Sequence, residues 1–459
     1  MVVNVPGPNT EPFALDVAAA ASAIRGGGLS AVELMESLLS RAERLEPKLQ
    51  VWVTLDEERA LADARASDEA LAAAGPTGPM HGVPVGVKDI YYTAGMKTTA
   101  CSPIFADSVP DFDAATVARL RQAGAIIMGK TVTTEFACMD PSPTRNPWNV
   151  EHTPGGSSSG SAAGVSARIF PAAMGSQTAG SVLRPASYNG VVGMKPTFGR
   201  ISRYGVMPVA WSLDTMGFFS RTVEDAGILL DVLAGHDSRD PASSDTDVAN
   251  YGSAARHATS PRVGVVGGLF HERADAETRG HFDAVIERLS RAGAEVENAE
   301  LDADFEALLA AHRIVMSVEA ASVHESDFAT RADDYGPKVR GLIEAGMITP
   351  AVAYVKAQRV RHRFRVAVEA TTDRYDVLAT PSTPAPAPRD LSSTGDPVFQ
   401  TPWTTCGLPA LTLPTGLSES GLPLGLQLAS APFAETTLLS AARWCEEALG
   451  VGLTPPGVL

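Results

Sequence analysis

Glycines and hydroxyl side chains are concentrated in one stretch of the chain, Thr153 to Thr197, where a globular core would place branched apolar residues. Two clusters stand out in it, GGSSSG at 155–160 and QTAGS at 177–181, and a mostly apolar segment separates them. A serine hydroxyl can act as a nucleophile or relay a proton, and glycine lets the backbone approach a ligand closely. The pattern predicts two loops that converge on a catalytic or binding site.

A lysine, Lys88, lies near the end of VPVGVKDI at 83–90, an apolar segment that predicts a buried strand. In one interpretation this lysine snorkels to solvent or forms a structural ion pair with Asp89. In the other, burial lowers the pKa of its amine so that the neutral form accepts a proton. The local sequence leaves both interpretations of Lys88 open.

Two short motifs match known functional patterns by spacing alone. GAIIMGKT at 124–131 fits the phosphate-binding loop GxxxxGK[ST], in which Lys130 would contact phosphate. Its four variable positions are apolar, however, and predict a buried strand rather than a loop with free amides. GSSSG at 156–160 fits GxSxG with Ser158 as nucleophile, but a turn-like segment precedes it where that motif needs a strand. We therefore favour neither function.

Cysteine and histidine spacing indicates no metal site. The nine histidines form no HExxH or comparable pattern, and the four cysteines form no CxxC pair. We expect the cysteines to be buried free thiols, at Cys101, Cys138, Cys406 and Cys445. Neither a metal nor a cofactor is predicted.

The chain of 459 residues is 44% hydrophobic, enough for a large core, and carries a formal charge of −16. Its acidic balance, without clustered Lys and Arg, argues against a nucleic-acid surface and favours a small-molecule partner. Residues 1–16 lack the pattern of a secretory signal, and no apolar run reaches about 18 residues. These features predict a cytoplasmic protein without a membrane interaction.

The elements that must position these side chains alternate between strands and helices, which indicates a mixed α/β sheet. Ser30 and Glu33 predict a capping box at the start of one helix. A further helix is predicted over 223–233, and the polar, turn-rich residues 236–261 predict a connection. Three helices are then expected in a helix-rich section at about 300–372.

Several long motifs, in one order, resemble the hallmark blocks of the amidase signature family. They are GVPVGVKD at 82–89, TPGGSSSGSAAGV at 153–165, GSQTAGSVLRPASYNGVVGMKPTFGRISRYG at 175–205, and GLPALTLPTG and GLPLGLQL near the carboxyl end. The resemblance implies the amidase signature fold. That is a single large α/β domain, residues 1–459 here, with a central mixed β-sheet covered on both faces by helices.

The resemblance also implies a triad of serine, cis-serine and lysine. Ser181 takes the nucleophile position, Ser157 that of the bridging serine with a cis peptide bond, and Lys88 that of the base. Lys88 would draw a proton from Ser157 while Ser157 draws one from Ser181. Backbone amides would form the oxyanion hole that stabilises the tetrahedral intermediate. These amides are those of Thr178, Ala179, Gly180 and Ser181.

The second cluster departs from the commonest family pattern. Where many members have DTGGSIR, this chain has QTAGSVLRP, with Gln177 for the acid, Ala179 for a glycine and the arginine displaced to Arg184. The variant resembles the malonamidase-like branch, in which an arginine three residues after the nucleophile holds a substrate carboxylate. Arg184 is therefore a candidate substrate-binding residue. The alternative is an arginine that braces the loop through an ion pair.

The sequence favours an amide hydrolase that acts through an acyl-enzyme on small carboxamides, without a cofactor. Esters, anilides and carbamates (urethanes) are further candidate substrates, because the same attack and oxyanion chemistry serves them. The alternative, less favoured because of the departures, is the A subunit of a tRNA-dependent amidotransferase, which needs partner subunits. A weaker alternative is a nucleotide-binding protein that uses Lys130. A homodimer is considered, but no pattern determines the oligomeric state.

Overall fold

The structure is a computed structural model that describes residues 11–457 except residue 302. Residues 1–10 lie outside this range, and they make up most of the segment on which the secretory-signal expectation depends. Residues 458–459 also lie outside it, so both ends of the expected 1–459 domain are outside the described residues. No helix in the described range is long and apolar enough to cross a membrane.

One mixed sheet of 11 strands forms the centre of the fold. In chain order the strands are β1 Trp52–Leu55, β2 Pro84–Lys88, β3 Ile126–Thr131, β4 Ala172–Gln177, β5 Val192–Lys195, β6 Thr215–Ser220, β7 Arg262–Val266, β8 Glu295–Ala299, β9 Val377–Pro381, β10 Ala410–Leu417 and β11 Pro423–Ala429. Their order across the sheet is β1-β3-β2-β4-β6-β5-β10-β11-β9-β7-β8. The pairs β2·β3, β2·β4, β7·β8 and β7·β9 are parallel and the others are antiparallel.

Helices flank the sheet. Those of the described range are α1 Val17–Arg25, α2 Ala31–Leu49, α3 Glu57–Ala74, α4 Ala115–Gln122, α5 Ser159–Ser166, α6 Leu183–Asn189, α7 Val223–Leu233, α8 Tyr251–Arg256, α9 Leu269–Arg273, α10 Ala276–Ala292, α11 Phe305–Arg331, α12 Pro337–Met347, α13 Ala351–Thr372, α14 Thr401–Cys406 and α15 Glu435–Leu449. Short 3₁₀ helices lie at Pro12–Ala14, Pro103–Phe105, Glu135–Ala137 and Ala332–Asp334. The expected fold class, a single α/β domain with a central mixed sheet and flanking helices, is confirmed.

Local sequence signals explain two helix boundaries. Ser30 Oγ accepts from the amide of Glu33 while the Glu33 carboxylate accepts from the amide of Ser30, so the predicted capping box is present at the start of α2. Helix α7 begins after Thr222, whose side chain accepts from the amide of Asp225. Its bounds, Val223–Leu233, match the predicted helix.

The prediction that residues 236–261 form a connection is wrong in part, because they contain helix α8. The carboxylate of Asp231 in α7 accepts from the amides of Tyr251 and Gly252, at 2.6 and 2.8 Å, and so holds the first turn of α8. This tertiary contact is not visible in the polar, turn-rich local sequence.

Close packing between β2 and α5 brings together the two parts of the predicted site. A Cβ atom on Gly86 of β2 would lie 2.9 Å from the ring of Phe170, and one on Gly164 of α5 would lie 2.1 Å from the same ring. The aromatic ring fills the space that these two glycines leave open. Helix α5, which begins within the first serine cluster at Ser159, can therefore pack close to the strand that ends at Lys88.

Candidate active site

The carboxyl ends of β2 and β4 meet at one edge of the sheet. These strands are parallel neighbours, with Val87 paired to Met174, so Lys88 at the end of β2 and Gln177 at the end of β4 reach the same edge. The loop from 178 to 182 then leads into α6. In open α/β sheets this edge is the usual position of a ligand site.

The side chain of Lys88 is fully buried and hydrogen-bonded to two serine hydroxyls. Its Nζ atom donates to Ser157 Oγ at 2.7 Å and to Ser176 Oγ at 2.8 Å. Burial lowers the pKa of Lys88 to about 7, and the negative charge of Asp214 opposes part of that shift. Near pH 7 a large fraction of the amine is therefore neutral and able to accept a proton.

The alternative interpretation of Lys88, an ion pair with Asp89, is not observed. The Asp89 carboxylate lies 4.0 Å from the Nζ atom of Lys130 and accepts from Thr99 Oγ1 at 2.6 Å. Successive side chains of an extended strand point to opposite faces, so neighbours in sequence meet different partners. Lys88 faces the serines, whereas Asp89 faces Lys130.

Backbone contacts place Ser157 against Lys88. The peptide bond between Gly156 and Ser157 is cis. The carbonyl of Ser157 accepts from the amide of Thr134 at 3.1 Å and from that of Ser159 at 2.9 Å. These two bonds hold the residue just before the first turn of α5. Its buried hydroxyl is thereby held within hydrogen-bond distance of the Lys88 amine.

The second cluster forms a loop whose amides are open. Thr404 Oγ1 of α14 donates to the carbonyl of Ala179 at 2.7 Å and accepts from Gln177 Nε2 at 2.8 Å. Within the described range, no backbone carbonyl accepts from the amides of Ala179, Gly180 or Ser181. The loop is fixed through its carbonyl side, so these amides remain free to bind an oxyanion.

Gln177, the residue that departs from the family pattern, caps helix α6. Its Oε1 atom accepts from the amides of Val182 and Leu183 at 2.8 and 2.9 Å. The first amides of a helix have no acceptor within that helix, and the Gln177 side chain provides one for α6. The contacts of Gln177 are with the loop and α14, and they explain the residue without a substrate.

Arg184 is buried and bonded to the protein on two sides. Its guanidinium donates to the carbonyl of Gly395 at 2.6 Å, to that of Gly156 at 2.7 Å and to Thr394 Oγ1 at 3.0 Å. The side chain thus ties the loop before Ser157 to the segment at 394–395. It braces the loop through carbonyls rather than through the ion pair considered from the sequence.

The two short motifs that matched by spacing alone, at 124–131 and 156–160, have structural roles. The segment that matches the phosphate-binding loop contains strand β3, which is buried along its whole length, as its apolar composition predicted. Lys130 donates to the carbonyl of Tyr91 and to Thr98 Oγ1, so it links β3 to the chain after β2. Ser158, the GxSxG candidate, follows a loop rather than a strand and contacts the amide of Ser176.

Two residues beside the predicted triad were missed by sequence reasoning. Ser176 is the second hydrogen-bond partner of Lys88, and Asp214 is buried close enough to influence its pKa. Both come from buried strands or their ends, where a polar residue among apolar neighbours is the available signal. Of the cysteines, Cys101 is only half-buried, and the other three are buried; all four are free thiols.

The fold and the site place the chain among α/β proteins with a large mixed sheet, here with a buried lysine and its two serine partners at one strand edge. The family model described as Amidase matches residues 33–439, and the chain belongs to that family.

Curated relatives extend over nearly the whole chain. The chain is 38% identical to the A subunit of the glutamyl-tRNA(Gln) amidotransferase of Moorella thermoacetica over 456 residues, which cover 91% of this chain and 93% of that protein. It is 37% identical to the protein of the same name from Carboxydothermus hydrogenoformans, covering 92% and 95%.

Solved structures with the same fold include hydrolases. The peptide amidase of Stenotrophomonas maltophilia has a TM-score of 0.87 at 29% identity, covering 97% of this chain and 99% of that one. A 6-aminohexanoate cyclic dimer hydrolase has a TM-score of 0.86 at 28% identity, with the same coverage.

Proposed function

We propose that this protein cleaves the C–N bond of a carboxamide through an acyl-enzyme on Ser181, with Ser157 as proton relay and Lys88 as base. The observation that carries the proposal is the 2.7 Å hydrogen bond between the fully buried Lys88 amine and Ser157 Oγ. A buried amine with a pKa of about 7 can take a proton from a hydroxyl at neutral pH. Membership of the amidase family supports the same chemistry.

The reaction begins when neutral Lys88 takes the Ser157 proton and Ser157 takes that of Ser181. Ser181 Oγ then forms a bond to the carbonyl carbon. The resulting oxyanion accepts hydrogen bonds from the open amides of the 179–181 loop. On collapse, the C–N bond breaks and the relayed proton passes from Lys88 through Ser157 to the leaving nitrogen. An acyl group remains on Ser181 as an ester.

The fate of the leaving group distinguishes two candidate functions. In both, water releases the acyl group from Ser181 as a carboxylate through the same relay. In the first, the leaving group passes to solvent, and the protein is a stand-alone hydrolase of small carboxamides, esters, anilides or carbamates. The second candidate is the A subunit of an amidotransferase, in which the released ammonia passes to a partner. The curated relatives favour the second candidate over the first.

The departures in the second cluster carry little weight against the amidotransferase candidate. Gln177 caps α6, and Arg184 bonds to two backbone carbonyls, so both residues have structural partners in this chain. A carboxylate at position 177 would serve equally as an acceptor for the helix amides. The choice between the two candidate functions therefore depends on measurement.

The test uses the purified full-length chain with no ATP, tRNA or partner. Release of ammonia or amine is measured for glutamine, small carboxamides, an anilide and a carbamate, and release of alcohol for an ester, with S181A as matched control. A fluorophosphonate that labels the wild type but not S181A supports the acyl-enzyme. Labelling of S181A at the wild-type rate would overturn the nucleophile assignment.

The same preparation separates the two candidates. Turnover of carboxamides other than glutamine, by the chain alone, supports the stand-alone hydrolase. Activity restricted to glutamine, and raised by added partner proteins with aminoacylated tRNA, supports the amidotransferase.

A further inference from the structure

Asp214 is a buried carboxylate held by uncharged donors. One of its oxygens accepts from Thr178 Oγ1 at 2.6 Å, and the other accepts from the amides of Val209 and Ala210 at 2.7 and 3.0 Å. The guanidinium that attracts it, Arg203, forms its own ion pair with Asp240 at 2.8 Å. Among the described residues, no cation forms an ion pair with Asp214. Burial of an unpaired charge is costly, so a functional role would explain why a carboxylate occupies this position.

The position of Asp214 connects it to the nucleophile loop. It directly precedes β6, and Thr215 of β6 pairs with Gln177 at the end of β4. Thr178 is the next residue after Gln177 and the first of the loop that leads to Ser181. The carboxylate therefore holds the first side chain of that loop.

Asp214 also provides the negative charge that acts on Lys88. The Lys88 pKa is lowered chiefly by burial, and Asp214 is the foremost group opposing this, ahead of the thiols Cys138 and Cys101. Burial raises the pKa values of both thiols, to about 12 for Cys101, so they are uncharged near pH 7. Of these three groups, only the Asp214 carboxylate is therefore charged at neutral pH.

Other charges near this centre act on different groups. Asp89 lies against Lys130, and Glu135 accepts from Ser102 Oγ and from the amide of Gly336. The Tyr91 hydroxyl donates to the carbonyl of Gly175, and burial raises its pKa, so it stays neutral. Burial raises the pKa of Asp214 itself to about 6, which leaves it mostly ionised above pH 7.

We propose that Asp214 is a positioning residue of this reaction, which anchors the nucleophile loop through Thr178 and stabilises the ammonium that forms when Lys88 accepts the relayed proton. The inference rests on the proposed function of Lys88, Ser157 and Ser181. A developing positive charge in a dry site needs a fixed counter-charge nearby, and a carboxylate held by three donors provides one without moving. The hydrogen bonds of Asp214 in the described range are to Thr178, Val209 and Ala210 rather than to Ser157 or Ser181, so we place its action at Thr178 and Lys88.

The test compares D214N with the wild type and with D225N. Asparagine keeps the shape of Asp214 and can still accept from the two amides, while the Thr178 hydroxyl reverses its bond, so only the charge is lost. Asp225 controls for substitution of a buried carboxyl group: it is fully buried, it accepts from the amide of Ala18, and in the described range it has no hydrogen bond to Lys88 or the serine loops. Burial raises the pKa of Asp225 to about 8, so D225N changes a buried carboxyl group that is mostly uncharged at neutral pH. The readout is the rate of fluorophosphonate labelling as a function of pH, together with kcat on a substrate found above.

For D214N we expect a labelling rate lower by about tenfold or more. We also expect the acid limb, which is the fall of the labelling rate at low pH, to shift to lower pH by about one unit. It shifts in this direction because loss of the negative charge lowers the Lys88 pKa further. D225N keeps the wild-type limb. An unshifted limb and a rate within twofold of wild type in folded D214N would overturn the proposal.

If D214N does not fold, T178V provides the second test, because it removes only the hydroxyl that Asp214 holds. A kcat lower by about tenfold with unchanged KM and acid limb supports the anchor, and an unchanged kcat overturns it. Failure of the underlying triad is distinguishable, since S181A would then retain labelling whatever D214N shows.

Discussion

Lys88 and Asp89 are adjacent in the chain, yet their side chains contact different partners. The Lys88 amine donates to Ser157 Oγ at 2.7 Å, whereas the Asp89 carboxylate lies 4.0 Å from the amine of Lys130. Because the two side chains have different partners, the Asp89 carboxylate does not pair with the Lys88 amine. A directly paired Lys88 would remain protonated at neutral pH and could not start the proton relay.

The pH dependence of activity follows from the state of Lys88. Its pKa is lowered by burial to about 7, and only the neutral amine serves as base. We expect kcat/KM to rise with pH through about 7 and then to level off, because protonation removes the base on the acid side. The measurement is kcat/KM from about pH 5 to about pH 9, with folding checked by circular dichroism at each pH. A rate that falls as pH rises through 7 would contradict the assignment.

Gly180 should not tolerate a side chain without loss of activity. A Cβ atom there would lie 2.7 Å from Gln400 Oε1 and 3.0 Å from Pro397 Cβ. Gln400 is held by its bond to the carbonyl of Ser382, so the loop rather than the glutamine must shift. For G180A we expect kcat lower by roughly 10²-fold, the size of losing one oxyanion donor.

G452A is the control for G180A, because a Cβ at Gly452 meets nothing within 4 Å. Wild-type kcat in G180A would show that the amides of this loop do not bind the oxyanion.

Thr404 should support the nucleophile loop from the opposite side. T404V removes the bond to the Ala179 carbonyl and leaves Gln177 Nε2 without its acceptor. We expect a loss of about 1–3 kcal/mol in unfolding free energy and a lower kcat. Urea denaturation and steady-state kinetics measure the two effects. T401V, on the same helix, removes only a bond to the Pro397 carbonyl and should keep kcat.

Arg184 should act as a brace rather than as a carboxylate receptor. R184M removes the bonds to the carbonyls of Gly156 and Gly395. We expect kcat to fall by a similar factor for substrates with and without a carboxylate, because the shifted loop affects the chemistry of both. The measurement is kcat and KM for one matched pair of such substrates. A rise in KM confined to the carboxylate-bearing substrate would instead support the role inferred from the family resemblance.

Lys130 should matter for stability and not for nucleotide binding. K130M leaves the buried Asp89 carboxylate without its nearby cation, which typically costs about 3–5 kcal/mol. Lys97 offers a control, since its ion pair with Asp107 is exposed and K97M should change the unfolding free energy by less than about 1 kcal/mol. Urea denaturation compares the variants, and calorimetric titration with ATP tests binding. Wild-type stability of K130M, or saturable ATP binding by the wild type, would contradict this role.

Features that depend on local sequence could be predicted well. The capping box of Ser30 and Glu33 is present, and the helix over 223–233 has the predicted bounds, because both depend on residues within a few positions. The β3 segment could be separated from a phosphate-binding loop because its apolar residues are typical of a buried strand. Lys88 could be identified as unusual for the same reason.

Features that depend on contacts across the sheet could not be predicted. Asp214 lies far from Lys88 in sequence, and its donors are Thr178 and two backbone amides, which leave no motif. Arg184 shows the same limit, since its acceptors are carbonyls of glycines distant in the chain. Every residue has a backbone carbonyl, so the residue types do not indicate which carbonyl accepts a hydrogen bond.

The order of the strands also divides the sheet into two blocks of sequence. Strands β1 to β6 lie on one side and β7 to β11 on the other, and within the described residues strands of the two blocks pair only where β5 meets β10. Lys88, Ser157 and Ser181 all belong to the first block, while the second supplies Thr404 against Ala179. A recombination breakpoint between β6 and β7 would therefore keep all three residues in one block, provided that the incoming block supplies the partners of Ala179 and Arg184 that Thr404 and Gly395 provide here.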